Sequence, residues 1–249
     1  ELSAAAPLPP ERFLGFLEIH IEQGPVLDAA GERIGVVEAI VGIRQLTVTL
    51  SGQQNHAGTT PMHLRRDAFA GLAAFAQRLE AALRPLVTPT SVWTLGHVAL
   101  HPNAASVVPG RARFTVQWRD GSDARLDRME EAVRATLRTV AEERGLGLEV
   151  GERFAAPATP MTPALIAELE AAAEALAPGR WRRMPSGALH DATSAAKRLP
   201  AAMLFVPSLK GISHDFAEDT APEDLVLGAR VLADGAARVA ARLSRSASG

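Results

Sequence analysis

The segment Phe16–Pro25 combines a histidine, two glutamates and a glutamine at a spacing that could do chemistry. Apolar and polar residues alternate along it, which predicts a β-strand with its polar side chains on one face. Gly24-Pro25 stops that strand, so His20 and Gln23 lie near its carboxyl end, where open α/β sheets usually bind ligands. An imidazole among carboxylates is a typical environment for a divalent metal. A solvated histidine on an edge strand is the alternative interpretation.

Two further histidines are each followed by an aspartate. His190-Asp191 comes after a glycine turn at Gly187, and His214-Asp215 comes after Gly211. Either pair alone is a weak signal. Both lie in loops that follow short predicted strands, however, so these two imidazoles and His20 could gather in one site.

Two other segments carry candidate ligand-binding groups. The small-residue loop Asn55–Pro61 can present the ring of His56 to a substrate, although a solvated loop histidine is equally compatible with it. Pro102–Gly110 leads into a strand that places Arg119 on its polar face, where the guanidinium could bind a carboxylate through two hydrogen bonds. A surface arginine is the commoner explanation of such a residue.

The elements between Gln45 and Phe154 follow the order β-α-β-β-α-β. The first helix is predicted from apolar residues at helical spacing: Phe69, Leu72, Phe75, Leu79 and Leu83. The second helix begins near Ser122 or Asp123 and ends at Gly145. This order is the split βαβ pattern of ferredoxin-like modules, in which two helices cover one face of a sheet and leave the other face polar.

The flanking segments form a separate α/β unit. A helix opens at Thr162-Pro163, a short buried strand covers Leu204–Pro207, and Thr220–Glu223 is a predicted capping box before a long C-terminal helix. The predicted class is therefore α/β. One domain is built from two pieces, residues 1–43 and 155–249, and a βαββαβ domain at residues 44–154 is inserted into it.

The bulk composition excludes several classes of protein. The 249 residues are 47% hydrophobic and 22% charged, which is ordinary for a globular protein. A formal net charge of -2 gives no electrostatic reason to expect nucleic acid or an anionic membrane as a partner. Without cysteine, any metal must be held by His, Asp and Glu. We find neither a signal-peptide pattern nor an apolar run of about 20 residues, so we expect a cytoplasmic protein.

Five ordered segments together resemble one family: Glu18–Leu27, His56–Pro61, Val108–Gly110, Met184–Gly187 and Gly211–His214. They are similar to motifs of the dinuclear-metal amidohydrolases of the M20 peptidase group. The nearest branch contains the N-carbamoyl-L-amino acid hydrolases, the allantoate amidohydrolases and the bacterial-type β-ureidopropionases. The resemblance implies a catalytic α/β domain with an inserted ferredoxin-like lid, which is also the dimerisation domain.

The same resemblance implies hydrolysis of a linear C–N amide bond in a ureido acid by a water that two metals activate. An N-carbamoyl-L-amino acid is the substrate that we favour, with allantoate as the alternative. The two divalent ions would be zinc, manganese, cobalt or nickel. The implied partners are this small molecule and a second copy of the chain, which forms a homodimer through the lid.

Residue roles follow from the matched motifs in the catalytic domain. The resemblance makes His20 a ligand of one metal and His214 a ligand of the other. His190 would face the scissile carbonyl, and Gln23 would contact the substrate.

The lid contributes a second set of residues under the same resemblance. His56 and Arg119 would come from the lid, with Arg119 binding the substrate carboxylate. Arg44 is a weaker candidate for the same pocket. The family usually has an asparagine at the position of Ser106, so either Ser106 or the nearby Asn103 would supply that hydrogen bond.

The sequence also departs from the family. Leu189 replaces a usual glycine, and Asp215-Phe216 replaces a smaller pair. The family's N-terminal half supplies a histidine, a bridging aspartate and two adjacent glutamates, which this sequence does not contain. A catalytic metal site needs about three protein ligands. We therefore expect this fragment to be inactive alone. The rivals are a non-catalytic binding or dimerisation module that has lost its metal centre and, within the family, a dipeptidase or deacylase.

Overall fold

The computed structural model of the protein describes residues 9–246 and the side chains of residues 9–242. Its strands are β1 (Phe16–Ile21), β2 (Ile34–Ile40), β3 (Gly42–Ser51), β4 (Asn55–His56), β5 (Val92–His101), β6 (Val107–Val108), β7 (Arg111–Asp120), β8 (Gly147–Ala156), β9 (Thr159–Pro160), β10 (Trp181–Ser186) and β11 (Ala201–Val206). Its α-helices are α1 (Val26–Ala30), α2 (Ala68–Leu83), α3 (Asp123–Glu143), α4 (Pro163–Leu176), α5 (Asp191–Ala195) and α6 (Pro222–Ser246). No helix in this described range is long and apolar enough to cross a membrane.

The chain forms two compact units. The first unit contains the residues up to Val41 and those from Thr159 onward, and the second unit contains Gly42–Ala158. Each unit has its own apolar core. The functional groups of each unit are therefore positioned by a separate sheet.

The first unit is built on a sheet with the strand order β1-β11-β2-β10, and β9 pairs with the end of β2. β1 runs parallel to β11, and β10 runs parallel to β2, but β11 and β2 are antiparallel. Every side chain of β11 is buried, which is typical of a strand that is covered on both faces. β1 is an edge strand, and its residues are all half-buried.

Helices α4 and α6 cover one face of this sheet, while the short helix α5 packs on β1 and β11. The close approach of α6 depends on Gly228, where a Cβ atom would lie 2.4 Å from Val206 Cγ1. The other face of β1 and β11 is thereby left for α5 and for the polar side chains of β1. This arrangement brings the residues before α5 toward His20.

The second unit has a four-stranded antiparallel sheet in the order β5-β7-β3-β8. α2 and α3 pack against it, and their apolar stripes bury the rings of Phe75, Phe114 and Trp118. Burial alternates strictly along β7, so Trp118 faces this core while Arg119 lies on the opposite face. The predicted opposition of these two side chains is confirmed.

Two details of the helices differ from the sequence pattern. Phe69 lies in α2, as predicted, but it is 48% exposed, because Ala68 and Gly71 occupy the core side of that turn. At the start of α6, the Thr220 hydroxyl donates to the Pro207 carbonyl at 3.0 Å. The side chain of Thr220 thus connects the helix to the end of β11 rather than acting in a capping box.

Candidate active site

The candidate site of the first unit centres on two histidines. His20 lies on β1 beside Phe205 of β11, and the rings of His20 and His190 meet edge to face with centroids 4.8 Å apart. His190 immediately precedes α5. Because β10 is antiparallel to β1, the carboxyl ends of these two strands lie at opposite ends of the sheet. The loop after β10 therefore has to return across the polar face to bring the two imidazoles together.

The orientation of His20 leaves one ring nitrogen available to a ligand. Its Nδ1 lies 2.8 Å from the Ile21 carbonyl, which can only accept a hydrogen bond, so Nδ1 carries the proton. Nε2 of the neutral ring then keeps its lone pair. A backbone carbonyl that orients the imidazole in this way is usual for metal-binding histidines.

His190 is held in a buried environment. Its side chain is 1% exposed, and Nε2 lies 2.7 Å from the hydroxyl of the buried Ser186. Burial, followed by the proximity of His20, lowers the pKa of His190 to about 4. The imidazole is therefore uncharged at neutral pH.

The two glutamates that flank His20 hold helices in place. Glu18 accepts a hydrogen bond from the Ala192 amide at 2.7 Å, in the first turn of α5. Glu22 accepts from the Val26 and Leu27 amides at 2.7 and 2.8 Å, at the start of α1. Carboxylates are favoured at such positions because they satisfy amides that have no partner within the helix. Each glutamate thus has a structural function beside the histidine.

A second polar group surrounds Gln23. The backbone amide of Gln23 donates to the Ser208 hydroxyl, and its side-chain Nε2 donates to the Ser213 hydroxyl at 3.3 Å. Ser213 in turn donates to Glu218, which also accepts a bond from the His214 amide at 3.2 Å. This chain of bonds connects the end of β1 to the loop that carries His214.

Glu218 is a residue of this site that the sequence analysis missed. The hydrogen bond from Ser213 and the bond from the His214 amide lower its pKa, and the nearby His214 and His20 lower it further. Glu218 lines an open cavity of about 580 Å³ together with His20 and Gln23. Its position four residues after His214 is the signal that could have identified it.

The metal-binding capacity of these residues is limited. Among the side chains of residues 9–242, no group of three or more His, Cys, Asp or Glu is arranged to hold a metal ion. His20 nevertheless has the donor chemistry of a ligand, and both His20 and His214 influence the same carboxylate of Glu218. The described residues therefore fit part of a metal-ligand set.

The open sheet face of the second unit carries Arg119. Its Nε donates to Gln117 at 2.8 Å, and Gln117 donates to Gln45 on the neighbouring strand. Burial lowers the pKa of the Arg119 guanidinium. A partly desolvated guanidinium in a polar row is suited to binding a carboxylate.

The other predicted residues of the second unit lie in two adjoining loops. β4 pairs with β6, so that His56 lies opposite Val107. The Ala57 amide donates to the Ser106 carbonyl at 2.9 Å. Asn103, in the same loop as Ser106, is exposed and has a positive φ of 55°. The structure therefore brings the His56 and Ser106 loops together.

Arg44 differs from these residues because its guanidinium is already engaged within the second unit. It is buried and donates to Asp123 at 3.0 Å, to Asp127 at 3.4 Å and to the Ala156 carbonyl at 3.0 Å. Connecting α3 to the sheet in this way favours a structural role for Arg44.

His56 follows one end of the four-stranded sheet, in the separate ribbon of β4 and β6, whereas Arg119 lies at the other end of that sheet. Arg119 is paired with Ile43 at the beginning of β3, whereas Arg111 is paired with Ser51 at its end, shortly before His56. The eight strand positions between residues 111 and 119 correspond to about 27 Å. One small molecule cannot contact both side chains of the same copy.

Comparison with known proteins places the chain in a family of hydrolases. A family model described as Peptidase family M20/M25/M40 matches residues 4–238. The chain belongs to this family, as its motifs predicted. Most of the chain is matched, including both compact units.

Several relatives of the chain are named amidohydrolases. The chain is 41% identical over 233 residues to the allantoate amidohydrolase of Escherichia coli (strain K12), covering 92% of this chain and 55% of that protein. It is 36% identical over 217 residues to the N-carbamoyl-L-amino-acid amidohydrolase of Paenarthrobacter aurescens, covering 87% and 52%. A crystal structure of an amidase of the hydantoinase/carbamoylase family from Burkholderia phymatum matches with a TM-score of 0.83 and 46% identity, covering 91% and 55%. The chain spans about half the length of the curated relatives it matches.

Proposed function

We propose that the protein containing this chain hydrolyses a linear C–N amide bond of a ureido acid, with an N-carbamoyl-L-amino acid as the favoured substrate. The observation that carries this proposal is the pairing of His20 with the buried, uncharged His190, beside a cavity that Gln23 also lines. The amidohydrolase names of the relatives support the reaction class. A module without catalysis would have little use for this buried histidine pair.

His20 and His214 would each supply one ligand to a centre of two divalent ions, of zinc, manganese, cobalt or nickel. The remaining ligands would lie outside the described residues. Such ions polarise a substrate carbonyl and activate water. His20 Nε2 is already oriented for this role, because Nδ1 is held by the Ile21 carbonyl.

His190 would act on the scissile carbonyl. Its low pKa keeps the ring uncharged at neutral pH, so it does not repel a nearby cation. Ser186 fixes the ring by its hydrogen bond to Nε2. A fixed imidazole can stabilise the charge that develops on a carbonyl oxygen.

Arg119 would bind the carboxylate at the other end of the substrate. In this proposal the second unit is a ferredoxin-like lid, whose polar face carries Arg119 in the row with Gln117 and Gln45. Holding both ends of the substrate reduces the entropic cost of placing the amide against the reacting groups.

The lid would also be the dimerisation domain. Within one copy, Arg119 lies about eight strand positions from the end of β3 that precedes His56, so a site that uses both requires His56 from a second copy. Either Ser106 or Asn103 would enter the same site, because their loop adjoins His56. This separation supports a homodimer with shared active sites.

Allantoate is a second candidate substrate, since one of the reported relatives with this activity in its name is 41% identical. The test uses a protein of the full family length and compares ammonia release from N-carbamoyl-L-amino acids and from allantoate. We expect activity that a chelator abolishes and a divalent metal restores. A metal-loaded, folded protein that turns over neither substrate would contradict the proposed function and favour a binding module.

A further inference from the structure

The loop around His56 contains an unusual arrangement of donors. The amides of Gly58 and Thr59 both point at Nδ1 of the His56 ring, with N···N distances of 3.0 and 3.2 Å. Both amides are obligate donors, so Nδ1 must be the acceptor and cannot carry a proton. The proton of the neutral ring then has to reside on Nε2.

The ring packs closely on a glycine. A Cβ atom at Gly58 would lie 3.2 Å from Cε1 and 3.5 Å from Nδ1 of His56, so the ring would have to shift by a few tenths of an ångström to accommodate it. The loop closes further through Thr60, whose hydroxyl donates to the His56 carbonyl at 2.8 Å. The ring therefore lies against the backbone of its own loop.

Arg65 supports this loop from the outside. Its Nε donates to the Thr60 carbonyl at 3.0 Å, and its Nη2 donates to the Ala57 carbonyl at 2.5 Å. The two carbonyls lie on either side of the amides that hold the imidazole. The planar fork of a guanidinium can bridge two fixed acceptors in this way, whereas the single ammonium of lysine cannot reproduce the geometry.

We propose that Arg65 is a positioning residue that keeps the His56 loop closed, and that the closed loop holds His56 as the Nε2–H tautomer. The exposed ring then offers a hydrogen-bond donor, and it selects an acceptor oxygen such as a carbonyl or a carboxylate. The tautomer depends only on hydrogen bonds among residues 56–65. Only its use toward a substrate rests on the proposed function.

The test is the nitrogen spectrum of the histidine rings in the ¹⁵N-labelled chain at about pH 8.5, where free imidazoles are neutral. A His56→Asn variant assigns the signals. We expect His56 to show an unprotonated Nδ1 and a protonated Nε2. His63, an exposed histidine of the same unit, serves as the comparison ring. A His56 signal with a protonated Nδ1, or one averaged between the two tautomers, would overturn the proposal.

The role of Arg65 is tested by Arg65→Lys, with Arg66→Lys as the matched control. Arg66 is the neighbouring arginine but donates to Gln53 instead of the loop. We expect Arg65→Lys to shift His56 toward averaged tautomers and Arg66→Lys to leave it unchanged. An identical His56 signature in both arginine variants would overturn the positioning role.

Activity provides a separate readout. In the full-length enzyme, the proposal predicts that Arg65→Lys lowers turnover in parallel with the loss of the His56 tautomer. If the tautomer is observed but the enzyme hydrolyses no ureido acid, the proposed function fails while the inference on His56 stands. If turnover is present without the tautomer, the inference fails and the proposed function stands.

Discussion

The imidazoles of His20 and His190 lie 4.8 Å apart between centroids, although they are 170 positions apart in the sequence. Glu18 connects the same elements, since it lies on β1 and accepts a bond from the Ala192 amide in α5. The position of His190 therefore depends on an element that carries a candidate metal ligand. A substitution of either histidine should therefore alter the position of the other imidazole.

Removing the His190 side chain should lower kcat. In the full-length enzyme we expect His190→Ala to reduce kcat by about 10²–10³-fold, because a group that stabilises charge on a carbonyl oxygen acts mainly in the transition state. Steady-state kinetics at saturating metal provide the measurement. His97→Ala, which changes an exposed histidine on β5, is the control. An unchanged kcat for His190→Ala would contradict the proposed role.

Removing the Arg119 guanidinium should mainly raise KM. The loss of a desolvated carboxylate clamp costs about 2–4 kcal/mol, or roughly 30–1,000-fold in affinity. Arg113→Ala is the matched control, because Arg113 lies on the same face of β7 but is exposed. Equal kinetic effects of the two substitutions would argue against a specific role for Arg119.

The proposed sharing of active sites between two copies can be tested by mixing two inactive variants. If His56 and Arg119 act from different copies, a heterodimer of His56→Ala and Arg119→Ala contains one intact site. Random pairing in a symmetric dimer then restores about one quarter of the wild-type sites. Activity after subunit exchange is the measurement, and sedimentation establishes the oligomer. Mixtures without recovered activity, or a strict monomer at high concentration, would refute the shared site.

The stability of the second unit should depend on Asp120. Burial alone raises the pKa of its carboxyl group, but the bonds from Ser91, the Ser122 amide and Arg125 outweigh this effect and lower it. The stabilisation is therefore present above the unfolded pKa of about 3.9 and is lost as the pH falls through the lower folded value. Asp120→Asn should cost about 1–3 kcal/mol near neutral pH, and this cost should shrink progressively as the pH falls below the unfolded pKa of about 3.9.

Urea unfolding at several pH values measures this effect. Tryptophan fluorescence in a Trp181→Phe background reports on the second unit, which retains Trp93 and Trp118. Glu131→Gln, at an exposed position of α3, is the control. A constant difference between Asp120→Asn and the parent protein across this pH range would contradict the assignment.

Local patterns in the sequence were sufficient for most elements. The alternation from Ala112 to Arg119 predicted both the strand β7 and the opposite orientations of Trp118 and Arg119, because a strand sends successive side chains to opposite faces. The pattern predicts that α3 begins near Ser122 or Asp123, and in the structure the Ser122 hydroxyl accepts a bond from the Arg125 amide. The motifs also identified the M20 family.

Spacing could not determine where the polar partners of the site would lie. The Phe69 side chain fits a helical stripe but is exposed, because the packing of Gly71 against Leu146 sets the rotation of α2. The strand pattern places Glu22 on the same face as His20, but it does not show that its carboxylate caps α1. A carboxylate has several possible partners, and only the folded chain selects among them.

The sequence by itself determined the chemical groups and the strands that carry them, since side-chain type and period are local properties. Tertiary structure alone decided that the loop after the antiparallel strand β10 returns across the sheet to place His190 against His20. It also decided that Arg119 lies at the end of its sheet that is remote from the His56 loop. These relationships depend on strand order and direction, which arise from contacts between residues far apart in the chain.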